Sequence, residues 1–460
     1  MRFSKNIWAL GIITLSYLLL VVDLSIAIAA LPSIKIDLGF STTSLSWIQN
    51  AYTLVFGGLL LVGAKLGDIF GRRRIFILGV ALFSLASMLV GFSVSQEMMI
   101  IVRGLQGVGA ALVAPSSLAL LSTTFPEQPG RGRALAIYGS ITGLGTSIGL
   151  VLGGMITGLA DWRWAFWGNF PLGVLLVLTA TKFIPKSEKH ADRIDIWGAV
   201  LSTIGMTSLV YGFIESAEVG WANPSSWLSF IFGVLFILIF IWFENRFSNP
   251  LVPLRLFKNA TRSGANLARA LFVGSMAGFW FFGSQYLQIA KGMSPVETGF
   301  AFLPMTLASF AIAFFVPRLS RKFGDNLFLV GGLTTVAIGT LWLSQVSVSG
   351  SYLLTIAVPM ILVGIGQGAS TIKLTSAGIH AVSKEDSGVA SGLVSTSVQI
   401  GSSVGLSLLV ALASFAPTEN SDAKTQITSQ ANYALFGGGI LCLLALASVL
   451  IWVLPRRQKA

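Results

Sequence analysis

The run SYLLLVVDLSIAIAALP, residues 16–32, holds one carboxylate, Asp23, among apolar side chains. A charge in hydrocarbon is costly and persists where it is paired or has work to do. Arg103, in RGLQGVGAA (103–111), is its counterpart by depth. If 7–31 and 98–121 are helices crossing a membrane in opposite directions, Asp23 lies about 12 Å and Arg103 about 8 Å below one surface, at ~1.5 Å per residue. Burial disfavours the charged form of a carboxylate, and a neighbouring guanidinium favours it. A carboxylate balanced between those pulls can load a proton from one face and release it to the other. A fixed structural ion pair is the alternative.

Other groups could touch a ligand. Lys373 falls near the middle of a candidate helix at 352–378. An ammonium there needs a partner, a wet cavity or deprotonation. Either it faces a cavity, contacting an anionic substrate or serving a proton relay, or it snorkels or bonds helix carbonyls. Rings and amides at Trp47, Gln49, Asn50, Tyr52, Gln106, Phe279, Trp280, Gln285 and Tyr286 suit a bulky lipophilic ligand. Packing or an interfacial belt explains any single one as well. Glu215 and Glu218 are expected in a solvated loop. The lone Cys442 and the distant His190 and His380 offer no metal site. No GxxxxGK[ST] loop is present, so no nucleotide or other cofactor is expected, and no enzyme activity: the spans hold neither a nucleophile–base pair nor a metal cluster.

These residues need a membrane-spanning frame. Of 460 residues, 54% are hydrophobic and 10% charged, against about 25% charged in soluble domains. The reading is an all-α polytopic membrane protein. Candidate spans lie at 7–31, 47–66, 75–94, 98–121, 133–157, 163–183, 195–215, 226–244, 264–289, 298–316, 327–346, 352–378, 387–414 and 432–454. The basic start (Arg2, Lys5) and AIAA resemble a signal peptide, but the apolar run is too long for one and is read as the first span. With both termini in the cytoplasm, 24 of the 30 Lys and Arg fall on that side, including GRRR, PGRGR, KFIPKSEKHADR, RLFKNATR, RLSRKFG and PRRQKA. Lys35, Arg163, Lys291 and Lys424 fall outside; Arg103 and Lys373 fall inside spans. The net charge of +12 is then a topology signal and implies no nucleic acid.

Three motif pairs recur in order at offsets of roughly 250–260 residues. KLGDIFGRRR (65–74) matches RLSRKFGDNL (318–327), GLQGVGA (104–110) matches GIGQGAS (364–370), and GTSIG (145–149) matches GSSVG (401–405). Two pseudo-symmetric six-helix bundles follow, 1–185 and 251–460, with two inserted helices in 186–250. Paired halves with a site between them are a transporter architecture.

GAKLGDIFGRRR resembles the loop signature of the major facilitator superfamily. RGLQGVGAA and GLGTSIGLVLGG (143–154) resemble the helix 4 and helix 5 signatures of its drug–proton antiporters. VVDLSIAIAALP, DWRWAFWGNFPLG (161–173) and NPLVPLRLF (249–257) look like its fourteen-helix branch. Leu150 stands where that pattern usually has Pro, and Ile28 where it usually has Asn. The resemblance implies a proton-coupled exporter of lipophilic, cationic drugs, acting as a monomer in the bacterial cytoplasmic membrane, with protons and lipid as its other partners. It implies proton coupling at Asp23 and Arg103. It implies a conformational latch at Gly63, Asp68, Gly71, Arg72 and Arg73, with Arg74 beside it. It also implies a packed helix 5 seam at Gly145, Gly149, Gly153 and Gly154, extended by Gly139 and Gly143. Export of an endogenous lipid or anionic metabolite, and a non-transporting membrane sensor, are the alternatives.

Overall fold

The computed structural model describes residues 2–125, 130–185, 195–247, 250, 252, 254–379, 387–417 and 422–454. The basic runs at 186–193 and 455–460, with His190 and His380, lie outside the described residues. So do the side-chain positions at 131–133 and 139–144, which include Gly139 and Gly143.

The described residues are helical, without strands. The first half holds α1 (Arg2–Leu38), α2 (Trp47–Phe70), α3 (Arg72–Gly91), α4 (Gln96–Thr124), α5 (Gly130–Leu159) and α6 (Trp162–Trp167 continued by Asn169–Phe183). Two helices follow, α7 (Ile196–Val219) and α8 (Pro224–Glu244). The second half holds α9 (Ala260–Ala290), α10 (Pro295–Ala301 continued by Leu303–Phe323), α11 (Asp325–Leu343), α12 (Leu353–Gly378), α13 (Ser387–Ala413) and α14 (Ala423–Val453). Thirteen are long and apolar enough to cross a membrane, and α5 adds a shorter apolar stretch, Gly145–Leu159. The protein is therefore an integral membrane protein. The side carrying the start of α1 and the end of α14 is called the terminal side below, and the opposite one the far side.

Every expected span is present, and the differences are at the ends. α1 and α14 extend beyond the apolar runs at 7–31 and 432–454, because their first turns are polar. For α14 the start is fixed by Asp422, whose side chain accepts from the Thr425 N–H at 3.2 Å. α4 is capped likewise by Ser95, which accepts from the Met98 N–H at 3.2 Å. Gly71, between α2 and α3, has φ +98°, and Gly324, between α10 and α11, has φ +82°. Only glycine enters that region without a steric penalty, so each half turns at the same point of its repeated motif.

The repeat also extends to packing. Gly145, Gly149 and Gly153 seat α5 on α1, and Gly401 and Gly405 seat α13 on Ala270 and Gly274 of α9. The two halves are linked from the middle to the far side. Ser284 donates to the Ile28 carbonyl at 2.9 Å and Gln288 to that of Ala29 at 3.1 Å, joining α9 to α1. Asn50 donates to Ser407 at 2.9 Å, joining α2 to α13. Gly154 of α5 lies against the Pro295 carbonyl of α10. The α7–α8 pair lies on the α2–α13 seam. Thr203 fits under Gly58, Val210 packs with Leu54, and Trp47 tilts against Tyr211 with ring centres 6.2 Å apart. The outer helix α8 presents Trp227, Ile231, Phe232 and Leu238 outward, the apolar surface that a bilayer requires.

Candidate functional site

Asp23 and Arg103 meet. The Arg103 Nη1 is 2.7 Å from the Asp23 Oδ2, and both side chains are fully buried. The depth argument from the sequence placed them at one level, and α1 and α4 supply the contact. The same Nη1 donates to Gln106 Oε1 at 2.5 Å, and Gln106 Nε2 donates to Asp23 Oδ1 at 2.8 Å. Asp23, Arg103 and Gln106 thus close a ring of bonds. Asn169, at the break in α6, donates from Nδ2 to Asp23 Oδ1 at 2.8 Å and to Ser87 of α3 at 2.9 Å. Ser87 is 3.5 Å from Asp23 but only 3.0 Å from the Phe166 carbonyl, so its proton belongs to the carbonyl. Arg103 Nε donates to the Ile48 carbonyl of α2 at 3.0 Å, and its guanidinium lies 4.7 Å from the centre of the Tyr52 ring.

Magnitudes explain why the charge is tolerated. A carboxylate at the centre of a membrane helix costs about 2.5–3.5 kcal/mol on insertion scales. Each hydrogen bond to a charged group returns about 1.5–3 kcal/mol, and Asp23 accepts three short ones. The pocket is buried, walled by α1, α2, α3, α4 and α6 inside one half.

The polarity of the pocket matters more than its strength. Among the described residues, the hydrogen bonds under 3 Å to the Asp23 oxygens all come from donors: guanidinium, glutamine amide, asparagine amide. A protonated Asp23 would bring a fourth donor, with only the Ser87 hydroxyl oxygen, 3.5 Å away, to accept from it. The pocket as built favours the carboxylate, and a protonated Asp23 would be better matched after a movement of Gln106, Asn169 or α1. Among the described residues, two further buried groups, Arg103 Nη2 and the Tyr52 hydroxyl, have no hydrogen-bond partner.

The other expected residues separate into groups. At the α2–α3 turn, Arg72 bonds Asp68 at 2.9 Å, Arg73 donates to the Thr181 carbonyl at the end of α6, and Gly63 lies against the Ala111 carbonyl of α4. In α5 the motif divides. A Cβ at Gly149 would meet the Val22 carbonyl oxygen at 2.8 Å, beside Asp23 and within one half, whereas Gly154 faces the other half.

The expected cavity wall does not form one pocket. Trp47 sits on the α7 seam and Asn50 is bonded to Ser407. Tyr52 and Gln106 belong to the Asp23 network, and Gln49 is buried. Phe279 and Trp280 pack on Phe302, while Gln285 and Tyr286 are buried, the Tyr286 hydroxyl donating to the Ser347 carbonyl at 2.8 Å. Glu218, expected in a solvated loop, accepts from Ser41 and from the Ser44 N–H, tying α7 to the α1–α2 turn.

Lys373 is also placed differently. It lies five residues from the terminal-side end of α12, where its ammonium pairs with Asp325 at 2.5 Å and Ser320 at 2.8 Å. Its long stem reaches the α10–α11 turn and not a cavity. Asp325 is half-exposed, so Lys373→Met is expected to cost below about 1 kcal/mol in thermal unfolding and to leave ligand preference unchanged.

Arg269 was missed. It lies nine residues into α9, bonded through Nη1 to the Thr371 carbonyl at 3.0 Å and Thr375 Oγ1 at 2.6 Å. Its position inside the candidate span 264–289 was the available signal.

The comparisons with known proteins agree with this frame. The family model described as Major Facilitator Superfamily matches residues 13–406. The chain is 35% identical over 458 residues to the puromycin resistance protein of Streptomyces alboniger, covering 97% of this chain and 91% of that one. It is 35% identical over 464 residues to the cephamycin export protein of Amycolatopsis lactamdurans, covering 100% and 94%. It is 31% identical over 463 residues to a lincomycin resistance protein of Streptomyces lincolnensis, covering 99% and 95%. Among solved structures, a bacterial homologue of the human lysosomal transporter Spinster, inward-facing and unoccupied, superposes with a TM-score of 0.69 at 15% identity, covering 98% and 97%. The xylose transporter of E. coli in an inward-open conformation gives 0.66 at 13%, covering 98% and 96%.

Proposed function

This chain belongs to the major facilitator superfamily, and from that premise we propose that it is a proton-coupled exporter of lipophilic small molecules, working by alternating access. The observation that carries the coupling is the donor-rich pocket around Asp23. Its ionised state fits one arrangement of α1, α4 and α6; its protonated state is better matched by another. A proton is then exchanged for a conformational change, and the change moves substrate between the two halves. Drug export draws support from relatives named for puromycin resistance, cephamycin export and lincomycin resistance.

In this reading the terminal side is cytoplasmic, which the distribution of Lys and Arg supports, and the membrane is the bacterial cytoplasmic membrane. The halves divide near residues 185 and 250. The Asp68–Arg72 pair and the Arg73–Thr181 bond latch the cytoplasmic ends of α2, α3 and α6. Asp68 and Arg72 are about one-third exposed, 38% and 34%, so the pair adds below about 1 kcal/mol to stability. Arg72→Ala is accordingly expected to leave thermal unfolding nearly unchanged while lowering the transport rate several-fold, checked by initial rates at matched protein levels.

The test of the function itself is ethidium movement in proteoliposomes under an imposed pH gradient. Gradient-dependent movement supports the exporter. Ethidium binding without movement under any gradient contradicts it and favours a sensor.

A further inference from the structure

Arg269 is a buried-side cation that the coupling network does not use. Among the described residues no carboxylate bonds it. Its Nη1 is held on α12 by the Thr371 carbonyl and the Thr375 hydroxyl, and its Nε is buried with no partner. The bonds to α12 fix the guanidinium and leave its Nε–Nη2 edge. That edge presents two parallel N–H groups, the fork that fits a carboxylate. An unmet buried donor is rare in a native structure and asks for a partner.

The edge lies between the halves. Ser284 and Gln288 of α9 touch α1 near the far side. Counting back along the same face of α9 passes Trp280 and Val273 and reaches Arg269, at about 100° per residue. Three turns before Ile28 on α1 is Tyr17, which is stacked on Tyr138 of α5 with ring centres 4.4 Å apart. On the α12 side, Gln367 stands one turn before Thr371 and has a buried, unpartnered Oε1. One turn before Arg269, Asn266 is 5% exposed, and among the described residues both its amide oxygen and nitrogen are unpartnered. By that count along the paired α9 and α1, the polar, cationic groups of the second half stand towards the same end of the pairing as the stacked rings of the first.

We propose that the Nε–Nη2 edge of Arg269 is a subsite for the carboxylate of a lipophilic acid, whose apolar body lies along the stacked Tyr17 and Tyr138 rings. The proposal rests on the export reading and extends its substrate class from cations to amphiphilic acids and zwitterions. Lys373, the cation first considered for this role, is neutralised by Asp325 and takes no part.

The test is binding to the purified protein in detergent, without a gradient, using fluorescent 1-pyrenebutyrate, its methyl ester and ethidium. The native protein is expected to bind the acid at least ~10-fold more tightly than the ester, the scale of a charge-assisted hydrogen-bond pair. Arg269→Gln is expected to erase that preference while ethidium affinity, which also reports a folded protein, is kept. Lys373→Met is expected to retain the preference. Equal binding of acid and ester by the native protein overturns the subsite with no variant needed, and so does a preference that survives Arg269→Gln. Because no gradient is involved, failure of proton coupling and failure of this subsite are separate results.

Discussion

Asp23→Asn is expected to reduce pH-gradient-driven ethidium efflux to the level of empty vesicles. Asparagine keeps the size of the side chain and removes the carboxylate proposed to exchange the proton. It also leaves Arg103 fully buried without a counter-ion. Breaking one side of a buried pair typically costs about 3–5 kcal/mol, so a lower unfolding temperature accompanies the loss. The two effects separate in the double variant Asp23→Asn, Arg103→Gln. Removing both charges is expected to recover most of the stability and none of the coupling. Recovery of gradient-driven efflux in the double variant would make the pair a structural tie and nothing more.

Gly154→Val is expected to stop transport by a different route. A Cβ at Gly154 would collide with the Pro295 carbonyl, a backbone atom of α10 that cannot swing aside as a side chain does. Overpacking of this kind costs about 1–3 kcal/mol, and here only the state in which α5 and α10 touch bears it. Each ~1.4 kcal/mol shifts the balance about tenfold towards the state open at the far side. Spin labels on the far-side ends of α5 and α10 are expected to move apart in the variant, with little change in unfolding temperature. Gly149→Val is the contrast. It strikes Val22 and Ser25 inside one half, beside Asp23, so it destabilises the protein without separating the labels.

The frame was legible because hydrocarbon length and the Lys and Arg distribution are properties of the chain alone. The Asp23–Arg103 pair was legible for the same reason: depth along a helix follows from residue count. What the count cannot supply is the face of a helix. Phe279 and Gln285 suit a cavity wall by residue type, and the fold makes both of them packed interior. Asn169 and Ser87 approach Asp23 only because α6 breaks at Gly168 and leans on α3, a tertiary event with no local signature. Lys373 was assigned a position mid-span, but the last turns of α12 and a long side chain bring its charge to the α10–α11 turn. Arg269 shows the converse error. It stands within the candidate span 264–289 and was missed.

The central claim is that the proton carried by this protein resides on Asp23. The most direct measurement is the pH change on adding ethidium to the detergent-purified protein in weakly buffered solution, for native protein and Asp23→Asn. The account predicts that binding shifts the native protein towards its ionised, donor-matched pocket and releases protons in proportion to ligand bound. It predicts no release from Asp23→Asn at equal occupancy. Equal release from both proteins would place the exchanging group elsewhere and contradict the account.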